Sequence, residues 1–209
     1  RAYIITDEDE NQITIFNPGA MQNTTHFSLH KYNSSDSVAI IAPTNLDDMK
    51  MYSQKCRELG VRYIFDPGQS LPAWQEGDLS EAITGAEILI ANEYEINLIK
   101  DKTGRGTENL IRDVGAIIIT MGERGASLIQ DDHISGRLIP VTIPDEVVDP
   151  TGAGDAFRGG LLTGLVNDMD VYDAALIGSV TASFAVEVMG TQEDRFTKSE
   201  FDKRHEKFV

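Results

Sequence analysis

The sequence predicts an α/β fold, a mostly parallel sheet flanked by helices with a small β lid ahead of it. Three observations predict it. Short continuous apolar runs recur along the chain, as expected of strands covered on both faces. Longer mixed segments with glycine just past their ends separate those runs and read as crossover helices. An opening pair of strand-like runs surrounds the acidic stretch DEDEN and is not followed by a crossover.

The elements follow in order. Ala2–Thr6 and Gln12–Phe16 read as a hairpin with a polar tip, free to project as a flap. Val38–Ala42, Arg62–Phe65, Glu87–Ala91 and Ala116–Met121 read as buried parallel strands. Helices are predicted over Leu46–Leu59, Glu93–Lys102 and Thr107–Asp113, with Gly60, Gly104 and Gly115 as their C-caps. Ser127–Gln130 and Arg137–Ile143 read as a further strand pair. A glycine turn then opens a helix to about Asn167, followed by helices over Val171–Met189 and Lys198–Lys207. Alternation of this kind argues for right-handed crossovers in one sheet.

Composition sets the outer limits. The chain has 209 residues, 41% hydrophobic and 25% charged, enough for one sizeable core. Its 18 Lys+Arg against 34 Asp+Glu give a formal charge of −16 and no basic stripe, which argues against nucleic acid as a partner. A nucleotide remains open, because backbone N–H groups and a metal ion hold phosphates without many lysines. Cys56 is alone, which leaves no intramolecular disulfide and no CxxC site and fits a reducing, cytoplasmic compartment. The longest apolar runs are far short of a membrane span, and no secretory signal opens the chain. It starts at Arg1 and runs straight into a strand, so a preceding portion is expected to be missing.

The stretch carrying the chemistry is VVDPTGAGDAFRGGLLTGL, Val147 to Leu165. It fits neither GxxxxGK[ST] nor GxGxxG, since Phe157 stands at the sixth position of the latter. What remains is a glycine turn at a helix start, where free N–H groups and the positive helix end form an anion site. Asp155 at that mouth reads either as an ordinary helix-start acid or as a general base beside the anion hole. Asp149, six residues earlier, reads by itself as a strand-end acid.

Two further turns follow candidate parallel strands. TMGERGAS, Thr120 to Ser127, carries Gly122 and Gly125; ANEYE, Ala91 to Glu95, carries Asn92 and Glu95. Alone, the first is a strand-to-strand turn and the second a helix cap with an acid at the third position. Together with the Gly152–Gly154 turn they gather at strand ends, where open α/β sheets bind ligands.

These residues resemble the ribokinase family, also called the PfkB carbohydrate kinases. DPTGAGDAF (Asp149–Phe157) is similar to that family's signature DTTGAGD with Pro150 in place of a Thr, NEYE (Asn92–Glu95) to its NxxE motif, and TMGERG (Thr120–Gly125) to its TxGxxG motif. The resemblance spans essentially the whole chain and implies a ribokinase-like fold divided into lid strands (residues 1–30, partly represented) and an α/β nucleotide-binding and catalytic core (residues 31–209). It implies that Asp155 deprotonates an acceptor hydroxyl, with Gly152, Ala153 and Gly154 lining the anion hole. By the same resemblance, Asn92 and Glu95 help place Mg²⁺ and the ATP phosphates, largely through water. Thr120, Gly122 and Gly125 line the nucleotide site, and the Ala182–Gln192 stretch flanks adenine. Asp149 and Thr151, with carbonyls near Ala185 and Gly190, resemble the monovalent-cation site, for K⁺, of some members. Arg158 could reach a phosphate, but it is expected mainly as an i,i+3 partner of Asp155 on the helix surface.

Family members carry a region before the segment that begins here, with a di-glycine motif for the acceptor; RAYIITDEDENQITIFNPGAM resembles lid strands instead. FNPGAM (Phe16–Met21) and DPGQSLP (Asp66–Pro72) resemble members that act on adenosine or other nucleosides. Phe16 and Met21 are therefore candidates to pack on a base, or else plain lid-packing residues. The expected activity is ATP-dependent phosphorylation of a nucleoside, adenosine first, with ribose or a related sugar as the alternative. A non-catalytic nucleotide-binding module is the reading of another class, and it has no need of Asp155. A nicotinamide dehydrogenase lacks its glycine pattern here, and a metal site on His26 and His30 lacks a third ligand. The lid hairpin could pair with a second subunit.

Overall fold

The computed structural model describes residues 2–6, 12–32, 37–130, 133–193 and 195–208. Two sheets are present. Strands β1 (Ala2–Thr6) and β2 (Gln12–Phe16) pair antiparallel, Tyr3 opposite Ile15, as a separate ribbon. The acidic hairpin tip falls outside the described residues. Tyr3, Ile5, Ile15 and Phe16 are all exposed, so the ribbon turns apolar surface outward.

The main sheet has six strands in chain order: β3 (Val38–Ile41), β4 (Arg62–Phe65), β5 (Ile88–Asn92), β6 (Ala116–Thr120), β7 (Ala126–Gln130) and β8 (His133–Ile139). The first four are parallel, and β7 and β8 join antiparallel. Helices α1 (Leu46–Leu59), α2 (Glu76–Ile83), α3 (Glu93–Thr103) and the short α4 (Thr107–Leu110) connect the parallel strands. Helices α5 (Ala153–Val166), α6 (Val171–Ala185) and α7 (Lys198–Phe208) follow the sheet.

The apolar strand runs are explained by two cores, one on each face. Period-two alternation sends Phe65, Leu89 and Ile117 toward Met49, Cys56, Leu79 and Ile99 on α1–α3. The alternate residues Ile64, Ile88, Ile90 and Ile118 pack with Phe157, Leu161 and Ala174 on α5 and α6. Helices α5 and α6 approach so closely that a Cβ on Gly164 would lie 2.5 Å from the Cα of Ala174. No helix among the described residues is long and apolar enough to cross a membrane.

Local signals fixed several helix ends. Asn45 caps α1 by accepting from the amides of Asp47 and Asp48 at 2.9 and 3.3 Å. Gly60 and Gly104 close α1 and α3 in the left-handed conformation, as expected. Gly115 does not cap a helix. The helix predicted to Asp113 stops at Leu110, and Gly115 is needed because a Cβ there would stand 2.7 Å from the Glu87 carbonyl oxygen.

Two other boundaries moved, and one helix was not foreseen. The strand expected to Ile143 ends at Ile139, because Pro140 has no N–H to continue the ladder. The helix expected to Met189 ends at Ala185, and the Val186 carbonyl accepts instead from the amides of Val148 (2.8 Å) and Asp149 (3.2 Å). Helix α2 is absent from the sequence reading, although Leu79, Ala82 and Ile83 carry helical spacing; a polar start containing Gly77 hid it.

The segment between ribbon and core is tied to α1. The Thr25 amide donates to both carboxylate oxygens of the buried Asp48 at 3.0 Å, and Asn45 donates to the Gln22 carbonyl at 2.9 Å. Leu29 is already part of the main core.

Candidate active site

The candidate site lies at the carboxyl ends of the parallel strands, where crossover topology leaves a crevice. Strand pairing brings two of the motifs together: Asn92, the last residue of β5, stands opposite Thr120, the last residue of β6. Asn92 then starts α3 with a full capping box. Its side chain accepts from the Glu95 amide and its own amide donates to the Glu95 carboxylate, each at 2.8 Å. The Thr120–Gly125 turn is closed by the Met121 amide donating to the Gly125 carbonyl at 2.8 Å. An ion pair between Arg124 and Glu93 clasps this turn to the start of α3. The capping role read from the sequence is therefore real, and it also fixes where the Glu95 carboxylate sits.

The glycine turn forms the other wall. Gly152 is the N-cap of α5 at φ +88°, a conformation that disfavours any side chain, and no side chain caps the helix. The Ala153 amide turns back to the Pro150 carbonyl at 3.2 Å, and the Ala156 amide makes the first bond to Gly152. Among the described residues, the amides of Gly154 and Asp155 are thus left without partners at the positive end of α5. The sequence assigned the anion hole to Gly152, Ala153 and Gly154. Of these, the Ala153 amide is taken up inside the turn, whereas among the described residues the Gly152 amide, like those of Gly154 and Asp155, has no partner.

Asp155 follows with an 84% exposed side chain at the mouth. Its recorded ion-pair partner is Arg158, whose Nη1 stands 3.6 Å from the Asp155 Oδ1. Arg158 is not the surface residue the sequence suggested. Its side chain is largely buried, and its Nε lies 2.6 Å from the Oδ2 of Asp66 just beyond β4.

A cavity of about 680 Å³ opens between the turns. Thr120, Gly122, Gly125, Ala153, Gly154 and Ala182 line it. Val141, Val148, Phe157 and Val186 supply its apolar wall. Such a space, mostly apolar with a few backbone donors at one end, suits a flat ring attached to an anionic group. Gln192, Phe16, Met21, Asn92 and Glu95 are not among its lining residues. Phe16 and Met21 are exposed on the lid side of the molecule. The cavity wall at Val141 and Val148 was missed from sequence, since Val141 read as the end of a strand and Val148 only as the lead-in to the glycine turn.

Asp149 acts as a clamp. One carboxylate oxygen accepts from the Thr151 amide at 2.9 Å and the other from the Gly190 amide at 3.0 Å. The Thr151 hydroxyl, then the Thr151 and Gly190 amides, hold its carboxyl below the ordinary value. Asp149, Thr151 and Gly190 are thereby gathered in one place.

Asp66 was quoted in the sequence only as part of a resemblance, and the structure gives it a distinctive environment. Its side chain is 3% exposed, and burial pushes its carboxyl up to about 6. Arg158 opposes that rise, while the charges of Glu95 and Asp155 add to it. The fold therefore binds this proton more tightly than the unfolded chain does. Stability from that proton is complete below the ordinary carboxylate value of 3.8 and is lost as pH rises through about 6. Urea unfolding should show the wild type gaining about 2 kcal/mol over Asp66→Asn between pH 7.5 and pH 4. A difference that stays flat with pH would mean the carboxyl titrates normally.

Similarity to known proteins agrees with this geometry. A nucleoside kinase of Methanocaldococcus jannaschii is 33% identical over 210 residues, covering 99% of this chain and 67% of that protein. The structure of a Burkholderia thailandensis nucleoside kinase in complex with inosine superposes with a TM-score of 0.86 at 36% identity, covering 99% of this chain and 66% of that one. The complex of the same kinase with ADP-inosine also gives 0.86, covering 100% of this chain and 64% of that one. The chain thus spans about two thirds of the length of these relatives. The profile of the pfkB family carbohydrate kinases matches residues 1–198, across both sheets and all three motifs, and the chain belongs to that family.

Proposed function

We propose that this chain performs phosphoryl transfer from ATP to a hydroxyl of a nucleoside, adenosine first. The observation that carries the reading is the start of α5. Two unpartnered amides stand beside an exposed carboxylate, at the edge of an apolar cavity lined by the other glycine turn. Phosphoryl transfer needs little else from a protein than positioning and neutralisation of spreading charge. The Asp155 carboxylate takes the proton of the acceptor hydroxyl. The freed oxygen attacks the γ-phosphorus, and the bond to the β–γ bridging oxygen breaks to give ADP. The Gly154 and Asp155 amides receive the charge that builds on the transferred group.

The nucleoside acceptor rests on kinship with the nucleoside kinases and on the inosine bound to the Burkholderia relative. A purine base would meet the lid through Phe16 and Met21, both exposed. Mg²⁺ belongs to the same reading. Among the described residues no three His, Cys, Asp or Glu side chains converge to hold an ion directly. The donor set fits an ion carried by the phosphates and reached by Glu95 through water. When bound, such an ion would supply neutralisation of the phosphate charge. Asp149 and Thr151 are the proposed protein groups beside K⁺. The apolar face of the lid ribbon supports pairing with a second copy, and the lone buried Cys56 accords with a cytoplasmic protein.

The test offers ATP and Mg²⁺ to the full-length protein with adenosine, inosine and ribose in separate reactions, following ADP release. Turnover of adenosine or inosine, but not ribose, is expected. Ribose alone would move the assignment to a sugar kinase with the same machinery. ATP binding without turnover of any acceptor would favour a nucleotide-binding module and overturn the kinase reading.

A further inference from the structure

The guanidinium of Arg158 touches three parts of the candidate site at once. Its Nε lies 2.6 Å from the Asp66 Oδ2, and its Nη1 lies 3.6 Å from the Asp155 Oδ1. A Cβ on Gly154 would stand 2.7 Å from that same Nη1, so the guanidinium rests against the backbone of the anion turn. We propose that Asp66 is a positioning residue for the transfer, acting through Arg158 to hold the Asp155 carboxylate and the Gly154 backbone in place. The inference rests on the kinase reading above and assigns that reaction a residue remote from the reacting atoms.

The energetics of the pair point away from a purely structural staple. Asp66 continues the β4 ladder, its amide donating to the Ile41 carbonyl at 2.9 Å, so its backbone is fixed by the sheet. Its side chain is buried, yet Oδ1 has no hydrogen-bond partner among the described residues, and the contact of Oδ2 with Nε is too bent for a hydrogen bond. A buried pair satisfied this poorly recovers little of its desolvation cost, and apolar residues of similar volume would serve stability as well. What apolar residues could not do is aim a cation. Arg158 has a long side chain with about 2 kcal/mol of rotamer entropy to lose, and Asp66 is the anchor that selects its conformation. Once held, the guanidinium lies on the flank of α5 that carries Asp155. It restricts an otherwise exposed carboxylate and sets a positive charge beside both Asp155 and Asp66.

The experiment compares Asp66→Asn, Arg158→Met, Arg158→Lys and the Asp66→Asn/Arg158→Met double variant in the full-length protein, with the nucleoside that the wild type turns over. Asp66→Asn should lower kcat by roughly tenfold to a hundredfold, the scale of a small misplacement of reacting groups, while the KM for ATP stays within about twofold. The double variant should be no slower than Arg158→Met, because the two residues act as one unit. Arg158→Lys should fall between, since an ammonium keeps the charge but cannot span both carboxylates as a planar fork does.

Wild-type kcat in Asp66→Asn overturns the proposal, as do losses that add in the double variant. A raised KM for ATP at unchanged kcat would put Arg158 on the phosphates and overturn it too. If Asp66→Asn does not fold, Arg158→Lys carries the decision, and a wild-type kcat there counts against the proposal. A wild type inactive on every hydroxyl acceptor takes down the kinase reading and this one together. Turnover that none of the variants alters takes down only this one.

Discussion

Replacing Asp155 by Asn is expected to lower kcat by about 10²–10⁴ while fold and ATP affinity stay close to wild type. The separation follows from where the residue sits. Its side chain is 84% exposed, its recorded ion pair is a 3.6 Å contact with Arg158, and it contributes nothing to either core. Asn keeps the size and the helix-start position but cannot accept a proton. The neighbouring amides remain, so binding of the nucleotide phosphates should survive. Steady-state rates, a thermal melt and a nucleotide titration on the same preparation check the three parts. A near-normal rate would sink the assignment of the base, and a large drop in melting temperature would make the residue structural.

The second large effect is on stability. Gly125→Ala is expected to cost about 3 kcal/mol or more, which for a chain of this size lowers the melting temperature by roughly 10 °C. Gly125 adopts φ +85°, ψ −137°, a region essentially closed to residues with a Cβ. An added Cβ would also collide with the Ile139 carbonyl oxygen and stand 3.0 Å from the Val141 amide. Relief would require moving the end of β8, which also carries the cavity wall. Gly122 gives the contrast within the same motif. It sits at φ +59° with nothing within 4 Å of an added Cβ, so Gly122→Ala should cost only about 1 kcal/mol. Its methyl group would instead crowd the cavity and raise the KM for ATP. Urea melts of both variants read the stability difference directly; equal losses would mean that the two glycines do the same job.

Much of this was legible in the chain. The parallel strands were visible because burial on both faces demands continuous apolar runs, and β4 and β6 begin where those runs begin. The caps at Asn92, Gly60 and Gly104 were visible because they depend on residues three or four positions apart. The glycine turn could be read as an anion site because a helix start exposes amides whatever surrounds it. Several errors fell where a distant segment intervened. Val186 leaves α6 to bond with residues some forty positions earlier, and the Glu87 carbonyl decides that residue 115 must be Gly. Arg158 had a phosphate or Asp155 as its expected partner in the sequence but not Asp66, because Asp66 lies far along the chain and nothing in the spacing links them.

By itself, then, the sequence determined the α/β class, the motifs and the candidate base, since each is written in local spacing and residue chemistry. Only the tertiary structure decided which amides face the mouth, which residues wall the cavity, and that a buried carboxylate just beyond β4 grips the arginine beside Asp155. Those features depend on strand order and helix approach, which bring together groups that are far apart along the chain and leave no periodic trace in it.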